Sequence, residues 1–181
     1  MTSLSPAAIE ESRGAVFWLT GVPASGKTTL ARGLIAALRA HDIAVLWLDS
    51  DDLRAVMTPA GDYGERDRAV FYATIAHLAI RAAEGGVTVV ISATAPHRAP
   101  RDRVRAAVAK FHEVWLDCDA RALRGARDVK GLYARADAGE IARLPGVGVA
   151  FEPPTHPDAL RIDTAVTSPD AALAAVIARL G

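Results

Sequence analysis

The sequence predicts an α/β fold: a mostly parallel five-stranded sheet with helices on both faces. Three observations carry this. Short apolar runs that read as buried strands alternate with segments of helical periodicity along the 181 residues. The first such run leads straight into Gly21-Val22-Pro23-Ala24-Ser25-Gly26-Lys27-Thr28, which fits G-x-x-x-x-G-K-[ST], and a helical stretch follows. Polar residues then close the strands at one edge: Asp49 and Asp51 after the second, Ser92 to Arg101 after the third. Open parallel sheets take their ligands at that edge.

The elements follow in order. Ala15 to Thr20 is apolar on both faces and reads as a buried strand. Thr29 to Leu38 has apolar residues at helical spacing. Ile43 to Leu48 is the second strand, ending at Asp49. A helix is expected from about Glu65 to Ala83, stopped by Gly85-Gly86. Val87 to Ile91 is the third strand, Pro100 to Lys110 a helix, Glu113 to Leu116 the fourth strand and Ala120 to Arg127 a helix. Residues 129–157 form a Gly- and Pro-rich stretch, long enough to suggest a lid. Leu160 to Ile162 is the last strand, and Pro169 to Leu180 a terminal helix with proline near its start.

Composition narrows the function classes. The length fits one domain spanning 1–181, and 51% hydrophobic residues suffice for a sizeable core. Net charge is zero, so nothing points to a nucleic-acid partner. No apolar run approaches the roughly 20 residues of a membrane span. Met1 to Arg13 lacks the features of a signal peptide, so a cytoplasmic location is expected. The single cysteine, Cys118, excludes an internal disulfide and reads as a small buried strand-end residue. His41, His77, His97, His112 and His156 have no metal-ligand spacing.

The phosphate loop has a physical logic at each fixed position. Its glycines let the backbone curl so that N–H groups converge on phosphate oxygens, above the positive end of the following helix. The nucleotide-binding set is Gly21, Ala24, Ser25, Gly26, Lys27, Thr28 and Thr29. Lys27 supplies a point charge to the β- and γ-phosphates of a nucleotide, and the Thr28 hydroxyl can be a ligand for Mg²⁺. Asp49-Ser50-Asp51-Asp52-Leu53-Arg54 places three acids beside that site. One can organise the Mg²⁺ shell and another can accept the proton of an attacking hydroxyl. Arg54, one turn on, can fork onto a phosphate or sulfate. Arg68 is a second candidate anion clamp, with a solvated helix face as the rival reading. Arg98, Arg101, Arg103 and Arg105 read as surface charge.

These stretches resemble the adenylyl-sulfate kinases. Asp49 to Arg54 is similar to the family's D-G-D-N-x-R, Asp67-Arg68 to its D-R, and Pro96 to Asp102 to its S-P-Y-R-A-D-R-D. The most specific stretch is Arg127-Asp128-Val129-Lys130-Gly131-Leu132-Tyr133, followed by Ala138-Gly139-Glu140-Ile141, against R-D-x-K-G-L-Y and A-G-E-I. Phe151-Glu152-Pro153-Pro154 parallels Y-E-x-P, and the collinear match runs from about residue 15 to 164. The resemblance implies a P-loop kinase fold with a lid loop. It implies transfer of the γ-phosphoryl of ATP to the 3′-hydroxyl of adenylyl sulfate (APS). Asp51 would be the catalytic acid–base residue, assisted by Lys27 and Asp49, with Thr28 and Asp49 at Mg²⁺. Arg54, Arg68, Lys130 and Tyr63 would hold the acceptor, a small molecule. Family members often pair as dimers, so a homodimer is an expectation of the resemblance.

The departures gather on the acceptor side. Ser50 and Asp52 replace a Gly and an Asn. Ala69-Val70-Phe71-Tyr72-Ala73 stands where the family has E-N-I-R-R, and Ala95 stands for a Ser. Arg143-Leu144-Pro145-Gly146 stands for N-F-T-G, so Leu144 takes the place of a phenylalanine that stacks on an adenine. These departures support a second reading, a kinase of this fold with a different small hydroxyl acceptor; a third is a nucleotide-binding regulatory or scaffolding domain without useful catalysis.

Overall fold

The computed structural model describes residues 4–57, 64–119, 128, 131–141 and 144–180. Helix α1 (Pro6–Ser12) leads into β1 (Val16–Thr20), the phosphate loop and α2 (Lys27–Arg39). Then come β2 (Val45–Asp49), α3 (Ser50–Met57), α4 (Glu65–Glu84), β3 (Thr88–Ser92), α5 (Ala99–Ala107) and β4 (Phe111–Asp117). A short lid helix (Leu132–Asp137), two-residue strands β5 (Leu144–Pro145) and β6 (Gly148–Val149), β7 (Leu160–Asp163) and a terminal helix (Pro169–Ala178) complete the order. Five strands pair in the order β2-β3-β1-β4-β7, every pair parallel. The expected strands are all present, with ends shifted by one or two residues.

Strand β1 sits at the centre, and all five of its residues are buried. Its alternation sends Phe17 and Leu19 into one cluster and Val16 and Trp18 into the other. The first cluster joins α2 (Leu30, Leu34, Leu38) to Val176 and Ile177 of the terminal helix. The second joins α4 (Phe71, Ile75, Ala79) to Val104 of α5. Helices therefore cover both sheet faces, as the continuous apolar strands require.

The structure adds α1, α3 and the lid helix to the expected elements, and it turns some of the arginines after β3 inward. Helix α1 was not anticipated, although Ser5-Pro6 carries the signal for it. The Ser5 hydroxyl accepts the Ala8 N–H at 3.1 Å, and proline occupies the first turn. The arginines after β3 are not all surface charge. Arg101 has no exposed surface and donates to Glu113 at 2.7 Å, while Arg105 donates to the other Glu113 oxygen at 2.6 Å. Burial pushes the Arg101 pKa down, and Glu113 opposes that shift. The expected helix from Ala120 to Arg127 lies outside the described residues. Among the described residues no helix is long and apolar enough to cross a membrane.

Candidate active site

The phosphate loop is a backbone cradle at the carboxyl end of β1. A Cβ on Gly21, at φ +145°, would stand 2.4 Å from the Leu116 carbonyl oxygen, so only glycine fits there. Gly26 caps α2 at φ 98° and offers no side chain to the first-turn N–H groups. Those donors and the helix dipole point into a cavity of about 260 Å³. Lys27, Thr28 and Thr29 line it, with Pro23, Ala24, Ser50, Asp51, Ser92, Thr94, Asp128 and Leu132. The Ser25 hydroxyl is buried and makes no hydrogen bond among the described residues. Lys27 Nζ donates to the carbonyls of Gly21 (2.9 Å) and Val22 (2.8 Å), which folds its charge over the loop. An uncapped helix start, a buried hydroxyl and a lysine at one concave site fit a polyphosphate.

Asp49 ties this cradle to the second strand. It is buried, and its register partner across the sheet is Ser92. Oδ1 accepts the backbone N–H of Asp51 at 2.8 Å and that of Asp52 at 3.5 Å. That is N-cap geometry, and it starts α3 immediately after β2. Oδ2 accepts the hydroxyls of Ser92 (2.7 Å) and Thr28 (3.2 Å). Trp47 Nε1 in turn donates to Ser92 Oγ at 2.8 Å, holding that hydroxyl in place. The clustered Thr28 and Asp49 oxygens are hard donors of the kind that suit Mg²⁺. Among the described residues no group of three or more His, Cys, Asp or Glu forms a separate metal site.

The cap on α3 sets the direction of the acids and of Arg54. Asp51 is exposed and lines the phosphate cavity. Arg54 lies three residues on, hence on the same helical face. Its guanidinium carbon sits 3.9 Å from the centroid of the Phe71 ring on α4. Arg68 is buried at 8% exposure, which excludes the solvated-face reading, whereas Arg66 is exposed. Tyr63 and Lys130 lie outside the described residues.

The lid stretch has internal structure. Asp128 accepts the N–H groups of Leu132 (2.7 Å), Tyr133 (2.8 Å) and Ala134 (3.0 Å), so its carboxylate caps the lid helix. The Tyr133 side chain is buried, and its hydroxyl donates to the Pro23 carbonyl of the phosphate loop at 3.2 Å. Tyr133, Leu144 and Cys118 form a third apolar cluster, against which Val22 and Ala24 of the loop pack. Glu152 anchors the far end. It accepts the Arg98 N–H at 2.8 Å and contacts His97 Nδ1 at 3.2 Å, and these two bonds lower its pKa. Its own carbonyl accepts from buried Arg101. The sequence reading missed Ser92, Trp47 and Asp128 as organising groups; only Asp128 stood in a recognisable motif.

Replacing Tyr133 with phenylalanine tests the tie between lid and loop. One buried hydrogen bond contributes about 1 kcal/mol. The KM for ATP should rise roughly fivefold, with little change in melting temperature. An unchanged KM would mean that the lid does not brace the loop.

The adenylylsulphate kinase family profile matches residues 13–163. The chain belongs to the adenylyl-sulfate kinase family. Among its relatives, the adenylyl-sulfate kinase of Chloroflexus aurantiacus is 40% identical over 151 residues, covering 83% of this chain and 81% of the relative. A probable bifunctional SAT/APS kinase of Sorangium cellulosum is 35% identical over 92% of this chain, which spans only 28% of that larger protein. The structure of the Mycobacterium tuberculosis APS kinase in complex with AMPPNP and APS superposes with a TM-score of 0.83 at 32% identity, covering 93% of this chain and 98% of that one. As a member of the adenylyl-sulfate kinase family, the protein is a P-loop phosphotransferase that uses ATP and acts on a hydroxyl acceptor.

Proposed function

We propose that the protein transfers the γ-phosphoryl of ATP to the 3′-hydroxyl of adenylyl sulfate, giving 3′-phosphoadenylyl sulfate. The observation that carries this is the placement of Asp51 and Arg54 on one face of α3, with Asp51 lining the phosphate cavity. The loop N–H groups and Lys27 hold the β- and γ-phosphates, and Thr28 and Asp49 hold the Mg²⁺. When bound, Mg²⁺ neutralises charge on the transferring phosphoryl oxygens. Asp51 orients the 3′-hydroxyl in line and takes its proton as the new P–O bond forms and ADP leaves. Arg54 and Arg68 hold the phosphosulfate, and Lys130 and Tyr63 complete the acceptor site. The lid excludes water, which would otherwise accept the phosphoryl.

A second reading draws on Leu144. It is buried at 5% exposure in the lid cluster and carries no ring to stack on a base. That favours an acceptor held mainly by its anionic groups. Coupled ADP release with Mg-ATP separates the two readings, run with adenylyl sulfate and then with a panel of other hydroxyl acceptors. Micromolar-range saturation by adenylyl sulfate is expected. Negligible stimulation by it, beside clear stimulation by another acceptor, would transfer the reading to that acceptor.

A further inference from the structure

We propose that Phe71 is a positioning residue: its ring is a fixed shelf that holds the Arg54 guanidinium ready for the acceptor's anionic group. The proposal rests on the acceptor reading above. The geometry is specific. Arg54 lies 3.9 Å from the Phe71 centroid and 5.5 Å from that of Tyr72, and the two rings meet edge to face at 5.3 Å and 71°. Phe71 is 2% exposed and packs among Trp18, Leu48, Ile75 and Ile91, so the shelf cannot turn. Arg54 itself remains half-buried on the Asp51 face of α3.

A guanidinium over a ring face is attracted by the ring's quadrupole. A guanidinium held over a ring by its carbon can still present its donor edge to a phosphate or sulfate. Arginine otherwise has many rotamers to lose on binding, and a shelf removes part of that cost beforehand. The neighbouring α4 positions Val70 and Ala73 carry no hydrogen-bonding side chain. Acceptor affinity on this side therefore rests on Arg68 and on how well Arg54 is placed.

The test is a mutant cycle on the intact chain. F71L should raise the KM for adenylyl sulfate about tenfold, with kcat and the KM for ATP within about twofold of the native values. Phe71→Tyr, which keeps the ring, should restore the native KM. In an R54A background, F71L should add nothing further. Equal effects of F71L in both backgrounds, or a parallel loss of ATP affinity and kcat, would reduce Phe71 to core packing and overturn the proposal. A second readout needs no acceptor. The Arg54 Nε–H resonance should be shifted upfield by the ring current in the native protein and return toward the ordinary position in F71L. If the native enzyme turns over no adenylyl sulfate, the acceptor reading fails, and the shelf is judged on this resonance. Absence of the shift overturns it.

Discussion

Replacing Asp51 with alanine should lower turnover by about 10²–10⁴-fold, the usual contribution of a positioned general base. ATP affinity should stay within a few-fold of native. The reason for the split is structural. Asp51 lines the cavity from α3, whereas the nucleotide cradle is built from the loop backbone and the start of α2. The Asp51 backbone N–H, not its side chain, makes the bond that caps α3. Alanine therefore removes the proton acceptor and leaves the cap intact. Asp51→Asn should be nearly as slow, because an amide can still orient a hydroxyl but cannot take its proton. Equilibrium titration with an ATP analogue beside steady-state turnover makes the comparison. Loss of nucleotide binding together with turnover would show that Asp51 supports the site instead of acting in it.

The second large effect is on stability and lies away from the chemistry. Glu113→Ala should destabilise the protein by about 3–5 kcal/mol, because it leaves a buried arginine uncompensated. Glu113 is 4% exposed and partners both Arg101 and Arg105. Arg101 has no exposed surface to offer to water. In a chain of this length the melting temperature should fall by about 10 °C or more. The same change loosens the far end of the lid, since Arg101 also donates to the Glu152 carbonyl. Removing both buried charges, as Arg101→Met with Glu113→Leu, should recover much of the loss. Arg105 keeps partial exposure and can turn to solvent. A melting temperature unchanged by Glu113→Ala would mean that water reaches Arg101.

Much of this architecture was legible from residue order. Five apolar runs separated by helical periodicity dictate a parallel sheet, and the sheet dictates the edge at which ligands bind. The phosphate loop, Asp49, Asp51 and Arg54 follow from that edge plus charge. What resisted reading was mostly pairing across distance. Nothing local marks Ser92 as the hydroxyl that turns Asp49 toward Thr28, because the link exists only through the β2–β3 register. The inward turn of Arg101 had a faint signal, since it shares a helical face with buried Val104 three residues on. Arg68 likewise stands in phase with the buried stripe Phe71-Tyr72-Ile75 of α4. At Arg101 the charge suggested solvent while the periodicity pointed inward; at Arg68 solvent was only the rival of an anion clamp. The glycines and prolines spread along 129–157 favour a loop. The lid helix is only six residues long and depends on the Asp128 cap and the packing of Tyr133, both tertiary effects.

The account stands or falls on where the phosphoryl group goes. The measurement is to incubate the native protein with Mg²⁺, adenylyl sulfate and ATP labelled at the γ-phosphorus, and then locate the label in the isolated product. The expected result is label on the 3′-oxygen of 3′-phosphoadenylyl sulfate, in amounts equal to the ADP formed. Label found only in inorganic phosphate, or retained in ATP while adenylyl sulfate is recovered unchanged, would contradict it.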